Sequence, residues 1–223
     1  MLDPEQARAY ADADFEQPHS EFVRAFRARF NASWVPDGRP ARVLDLGCGP
    51  ADISIRFARA FPGVVIDGVD GAEAMLAPGR ERLARATELA ARVRLHRCRL
   101  PDEALPGVGY DAVISNSLLH HLHDPSVLWQ TLWRAATPGA PVFVMDLMRP
   151  DDEATARRLV GLHAAGEPEV LQRDFYHSLL AAFRPGELSE QLVEAGLVEA
   201  LRIEPLSDRH LVVFGHMPTP ARA

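Results

Sequence analysis

Val43-Leu44-Asp45-Leu46-Gly47-Cys48-Gly49-Pro50-Ala51-Asp52 decides the fold. Val43, Leu44 and Leu46, with Asp45 among them, read as a short buried strand. Gly47 and Gly49 form a turn in which backbone can approach a ligand closely. The helical pattern from Ile53 to Phe61 follows at once. Strand, glycine turn, helix is the opening of a parallel α/β unit. Two features set this turn apart from a dinucleotide-binding one. Asp52 stands where a third glycine belongs. Asp45, two residues before the first glycine, is an acid that would repel a pyrophosphate. The turn therefore suits a ligand with an ammonium group and no phosphates.

Working outward, the strand–helix alternation continues. Val64 through Asp70 reads as a second strand and Ala72 to Ala91 as a long helix. Val93 to Cys98 reads as a third strand and Tyr110 to Ser115 as a fourth. A helix from Pro125 to Ala136 and a fifth strand from Pro141 to Met148 follow. Right-handed crossovers then give a mostly parallel sheet with helices on both faces. Asp151 to Leu180 reads as a helical insertion, and Pro185 to Ala195 as a helix ended by Gly196. Leu197 to Pro205 and His210 to Met217 form an antiparallel edge hairpin around Ser207-Asp208. Upstream, Ala7, Tyr10, Ala11 and Phe15 mark one amphipathic helix. Pro18 breaks the pattern, and Phe22, Val23, Phe26 and Phe30 mark a second helix. Asn31 to Pro40 is the linker. The expected architecture is a Rossmann-like, doubly wound seven-stranded sheet with residues 1–40 as an N-terminal helical cap. Residues 41–223 form the main domain, with a helical insertion at 151–184 for which the family resemblance described below implies a lid.

Composition bounds the function. The 223 residues are 47% hydrophobic and 25% charged, which excludes disorder and a disulfide-stapled miniprotein. All 24 basic residues are arginine, which excludes Schiff-base and phosphate-loop lysines. A net charge of −7 with scattered arginines argues against a nucleic-acid surface. Cys48 and Cys98 are too few for a disulfide framework and point to a reducing compartment. Met1 to Tyr10 is polar and unlike a signal peptide, and no apolar run approaches the ~20 residues of a membrane span. A cytoplasmic protein is expected.

The next acid is Asp70, at the end of the second strand, where a carboxylate accepts the hydroxyls of a ribose. Hydroxyls plus an amine without phosphates describe S-adenosyl-L-methionine. Three motifs in order carry the resemblance: Leu44-Asp45-Leu46-Gly47-Cys48-Gly49, Asp67-Gly68-Val69-Asp70, and Tyr110 to Asn116 running into Leu119-His120-His121. From Val43 to Met217 the chain resembles the class I S-adenosylmethionine-dependent methyltransferases, in particular their small-molecule and cofactor-biosynthesis branch. The resemblance implies that Gly47, Cys48 and Gly49 pass under the cofactor's amino-acid part and that Asp45 organises that loop and the ammonium. It implies ribose binding by Asp70, an adenine side lined by Gly71 and Met75, and Asn116 facing the methionine moiety. Where the family often places an acid for the adenine amine, this chain has Arg99. Leu100 or Asp102 is then the substitute contact.

The acceptor side is read from histidines. His120, His121 and His123 precede Asp124, but adjacent histidines diverge in direction and do not match zinc spacings. The resemblance implies that His120 or His121 faces the acceptor, as base or orienter. In the insertion, Asp174, Tyr176 and His177, beside Arg173 and Phe175, are acceptor candidates. Tyr10 and Phe15 are further lid residues. Cys48 reads as a small buried residue, and the resemblance implies a sheet order in which a Cys48–Cys98 bridge would join strands that are not neighbours. The expected activity is methyl transfer to a small-molecule acceptor by direct displacement, with S-adenosyl-L-homocysteine as product. The alternatives are a tRNA or protein methyltransferase and a non-catalytic cofactor binder.

Overall fold

The structure is a computed structural model that describes residues 4–13, 15–30 and 34–219. The ends of the N-terminal segment and linker read from the sequence, Met1 to Asp3 and Asn31 to Ser33, lie outside these residues. Seven strands form one sheet: β1 (Ala41–Leu46), β2 (Val64–Asp70), β3 (Val93–Arg97), β4 (Ala112–Asn116), β5 (Pro141–Leu147), β6 (Leu201–Pro205) and β7 (His210–His216). Their order is β3-β2-β1-β4-β5-β7-β6. The first five run parallel, and β7 is antiparallel to both β5 and β6. This is the doubly wound sheet with an antiparallel C-terminal hairpin that the strand pattern predicts.

Among the described residues eight α-helices surround it: α1 (Pro4–Asp12), α2 (Glu16–Arg29), α3 (Asp52–Ala60), α4 (Glu73–Arg85), α5 (Ser126–Ala135), α6 (Glu153–His163), α7 (Glu169–Ala181) and α8 (Pro185–Glu194). Strand order reverses between β1 and β4, so their C-terminal ends part and open a crevice there. Gly47 follows β1 and Asn116 ends β4, one on each lip.

Two expectations need correction, and a third gains detail. Pro18 does not break a helix but lies in the first turn of α2, where no intrahelical donor is required. The break falls just ahead, before Glu16. The helix expected to reach Ala91 stops at Arg85. A chain of short turns, including Arg92 N–H to Leu89 O at 2.8 Å, then brings Val93 into register beside Ile66. The insertion after β5 is two helices, joined by the segment around Gly166.

Two cores flank the sheet. On one face the phenylalanines of α2 sink into the strands. The Phe26 ring packs edge-on against Phe57 at 4.8 Å and Phe143 at 5.8 Å, and Phe22 meets Phe143 at 4.9 Å. Phe22 and Phe26 are fully buried. Aromatic edge-to-face packing adds to the burial of such large rings, so α2 is part of the central core. The opposite core gathers Trp129, Leu132, Leu188 and Leu192 beneath β4 and β5. Phe26→Ala is expected to lower unfolding stability by about 3–5 kcal/mol, measured by urea denaturation. A loss within error would show that α2 is only a loose appendage.

Candidate cofactor crevice and acceptor cavity

The loop after β1 is held from below. Gly47 and Cys48 N–H both donate to Val69 O, at 2.9 and 3.0 Å. Gly47 has φ +71°, and a Cβ there would lie 2.8 Å from Leu118 Cβ. Only glycine satisfies both the angle and the approach. Asp45 is buried under the loop and accepts from Ser54 Oγ at 2.5 Å. Burial raises its carboxyl to about 7 against the Ser54 hydrogen bond, and the charge of Asp70 adds to the rise. Asp45 thus supports the loop from beneath and is shut away from the crevice surface.

Asp70 faces the crevice differently. Its Oδ2 accepts from Gly49 N–H at 3.0 Å and its Oδ1 from Ala72 N–H at 2.8 Å. Each oxygen keeps a lone pair for an incoming hydroxyl. Burial raises this carboxyl, and the two backbone donors oppose the rise. A Cβ on Gly49 would sit 3.3 Å from Met75 Cε, and one on Gly71 would lie 3.7 Å from Arg99 Cα. Gly49, Met75, Asp70, Gly71 and Arg99 are therefore neighbours. The Arg99 side chain is exposed, and its backbone N–H is taken by Glu103 Oε2 at 2.9 Å. Leu100 packs against the core beside it. Cys48 and Cys98 are buried free thiols. Burial pushes the Cys48 thiol well up, so it stays protonated and inert.

Beyond Asn116 lies a cavity of about 650 Å³. Its walls are the C-terminal ends of β4 and β5, the start of β7, the turn Leu119–His121, and helices α1, α2, α6 and α7. His120 and His121 both line it, ring centroids 4.0 Å apart. Asp146, near the end of β5, is buried behind them. It accepts from His120 Nδ1 at 2.5 Å and from Leu119 and Leu147 N–H, each at 2.7 Å. Burial raises the Asp146 carboxyl, but the imidazole and the backbone donors outweigh it and hold it below the usual range. An ionised carboxylate only accepts, so Nδ1 carries a proton, and in the neutral form of the ring the lone pair is on Nε2. Burial and the neighbouring His120 lower His121 to about 4, against the pull of Asp146. His121 is consequently neutral at pH 7.

Tyr10 lines the cavity. Burial raises its phenol to about 12, with the negative field of Asp52, Asp146 and Asp70 adding to the rise. Its ring packs on Phe15 at 4.8 Å, and Phe15 on His19 at 5.2 Å. His19 Nδ1 then meets Asp52 Oδ2 at 2.6 Å, and Arg56 Nε binds the same oxygen. Asp174 lines the cavity and accepts from Gln6 Nε2, which joins α7 to α1 above it. His177 lines the cavity too. Tyr176 does not come to it: its hydroxyl donates to Glu153 Oε2 at 3.0 Å on α6.

Sequence reasoning missed Asp146, His163 and His210. Asp146 left a signal, an acid within the apolar run Val142-Phe143-Val144-Met145-Asp146-Leu147. His163 and His210 left none, because only the fold carries α6 and β7 to the cavity.

The comparisons agree with this geometry. Residues 44–142 match a family model described as a methyltransferase domain. A trans-aconitate 2-methyltransferase of Variovorax paradoxus is 34% identical over 135 residues, covering 60% of this chain and 48% of that one. An uncharacterized methyltransferase of Mycobacterium tuberculosis is 28% identical, covering 67% of this chain and 73% of the relative. This chain spans about half the length of the Variovorax protein. Among solved structures, a SAM-dependent methyltransferase from Aquifex aeolicus matches with TM-score 0.66 at 16% identity, over 97% of this chain and 100% of its own. The plantazolicin methyltransferase BpumL, solved with S-adenosylhomocysteine, matches with TM-score 0.67 at 13% identity, over 96% and 90%. Residues 44–142 thus match a methyltransferase domain, and the chain's fold is similar to that of solved S-adenosylmethionine-dependent methyltransferases.

The residues fit that cofactor. Asn116 Oδ1 is buried without a partner among the described residues, an acceptor suited to an ammonium. Asp70 retains lone pairs for a diol, and the glycine loop leaves no side chain in the way.

The raised Asp45 carboxyl makes a pH prediction. Its folded value of about 7 lies above the ordinary 3.8, so its contribution to stability is full below about 4 and lost as pH rises through 7. The neutral Asp45→Asn variant lacks this loss. Its melting temperature is expected to gain a few degrees on the parent protein between pH 5 and 8. A constant difference over that range would contradict the burial of an ionising Asp45.

Proposed function

We propose that this chain transfers a methyl group from S-adenosyl-L-methionine to a small molecule held in the cavity, releasing S-adenosyl-L-homocysteine. The observation that carries the reading is the shared border of the two spaces. Asn116 ends β4, the strand paired with β1 ahead of the glycine turn, and it also lines the cavity that has His120 in its wall. When bound, the cofactor supplies a methyl already activated on a sulfonium. What the chain adds is position and exclusion of water.

The roles follow from the geometry. Gly47, Cys48 and Gly49 offer a backbone floor, Asp70 holds the ribose, and Asn116 takes the ammonium. Met75, Gly71, Arg99 and Leu100 border the adenine. His120 takes the acceptor's proton at Nε2, and Asp146 fixes the ring and balances the charge it gains. His121, neutral at pH 7, orients the acceptor. Residues 1–40 act as a cap and 151–184 as a lid on the domain at 41–223, tied together by Gln6 and Asp174. Tyr10, Asp174 and His177 contact the acceptor.

A cavity of this size accommodates a metabolite. The trans-aconitate 2-methyltransferase relatives, by their name, also act on a small molecule. Net acidity supports a reading without nucleic acid. Among the described residues no helix is long and apolar enough to cross a membrane. With two free cysteines, we place the protein in the cytoplasm.

The test uses methyl-labelled S-adenosylmethionine with a cell extract. Label is expected in the small-molecule fraction. Label that nuclease or protease treatment removes would replace this reading with a tRNA or protein methyltransferase. No label, with the cofactor still bound in calorimetry, would leave a non-catalytic binder. His120→Ala is expected to lower kcat by about 10²–10⁴-fold. Asp146→Asn is expected to lower kcat with KM for S-adenosylmethionine unchanged. Unchanged turnover in both variants would remove His120 from the chemistry.

A further inference from the structure

The reading above leaves the acceptor's chemical class open, and the charges around the cavity narrow it. His120 offers a lone pair at Nε2, backed by the ionised Asp146 at 2.5 Å. Two more carboxyls, Asp174 and Glu167, line the same space. Among the described lining residues the cationic side chain is Arg209, and it is already engaged. Its Nη1 lies 2.8 Å from His163 Nε2 and 3.2 Å from Asp208 Oδ1. Burial and the adjacent Arg209 lower His210 to about 4, so it supplies no positive charge at pH 7. Phe15, Leu147, Leu162, Leu171 and Phe175 provide apolar walls.

An anionic acceptor is poorly served by this arrangement. A carboxylate is ionised at neutral pH, with an ordinary value near 4, and needs no base. Here it would face a lone pair and two carboxyls, with Asp146 buried behind His120 and the one cation among the described lining residues already shared with Asp208. A hydroxyl is served well. It is uncharged, must shed its proton to become a nucleophile, and finds a positioned base to take it. We propose that the acceptor is an uncharged, largely apolar molecule methylated on a hydroxyl oxygen, giving a methyl ether. This rests on the methyl-transfer reading and deepens it. It also separates this chain from relatives named for a carboxylic acid.

The step balances. The acceptor oxygen gives its proton to His120 Nε2 and forms a bond to the methyl carbon. The carbon–sulfur bond breaks with its electron pair left on sulfur as a neutral thioether. The proton passes from His120 to solvent.

The chemical form of the transferred label tests this, using the wild-type chain, methyl-labelled S-adenosylmethionine and a cell extract. Label in the small-molecule fraction is expected to survive mild alkali and to be released as methyl iodide by hydriodic acid, as an ether requires. Release as methanol in mild alkali marks an ester and would overturn the proposal while leaving methyl transfer intact. Label resistant to both reagents marks a carbon or nitrogen acceptor and would also overturn it. Absence of label would defeat the methyl-transfer reading and this inference with it. In His120→Gln, ether formation is expected to fall at least 100-fold with binding of S-adenosylhomocysteine, measured by calorimetry, unchanged. Full ether formation in that variant would contradict the assigned base.

Discussion

The pairing of β1 with β4 is the constraint on which the molecule depends. Leu46 lies opposite Ser115, and Ser115 Oγ donates to Leu46 O at 2.8 Å, closing the sheet just before the two chains part. Sequential connections from β1 lead to one side and those from β4 to the other. The crevice is what remains between them. Move that pairing by one residue and every side chain on β4 changes face. Asn116 would then leave the lip of the crevice.

From that point the two halves of the site divide the work. The β1–β2 side presents backbone and one carboxylate: Gly47, Gly49 and Asp70. The β4–β5 side presents side chains on a buried anion: Asn116, His120 and Asp146. Three fixed donors satisfy Asp146. A buried carboxylate without them would cost several kcal/mol. The helices above are tied down locally. Arg82 Nη2 donates to Ala11 O, and Arg56 bridges Glu16 and Asp52. These ties fix α1 and α2, and α1 carries Tyr10 in the cavity wall.

How much was legible before the structure depends on how far each contact reaches along the chain. The glycine turn, Asp70 and the Leu119-His120-His121 step are short-range patterns, and they placed the sheet and its reversal. Pro18 misled because proline breaks helices only beyond the first turn, and the pattern does not show where that turn begins. Tyr176 was grouped with Asp174 and His177 by adjacency, yet on α7 it turns to α6 and meets Glu153. Asp146 lies 26 residues from His120, and His210 a further strand away. Such partners are joined by tertiary geometry alone, and no local periodicity announces them.

On the proposed function, the crevice and the cavity are two ends of one reaction site meeting at Asn116. A crystal structure with S-adenosylhomocysteine tests it most directly. The account predicts the ligand over Gly47 and Gly49, with its ribose on Asp70, its amino group on Asn116 Oδ1 and its sulfur open to the cavity beside His120. A ligand whose sulfur is walled off from that cavity, or an Asn116 left without a partner, would contradict it.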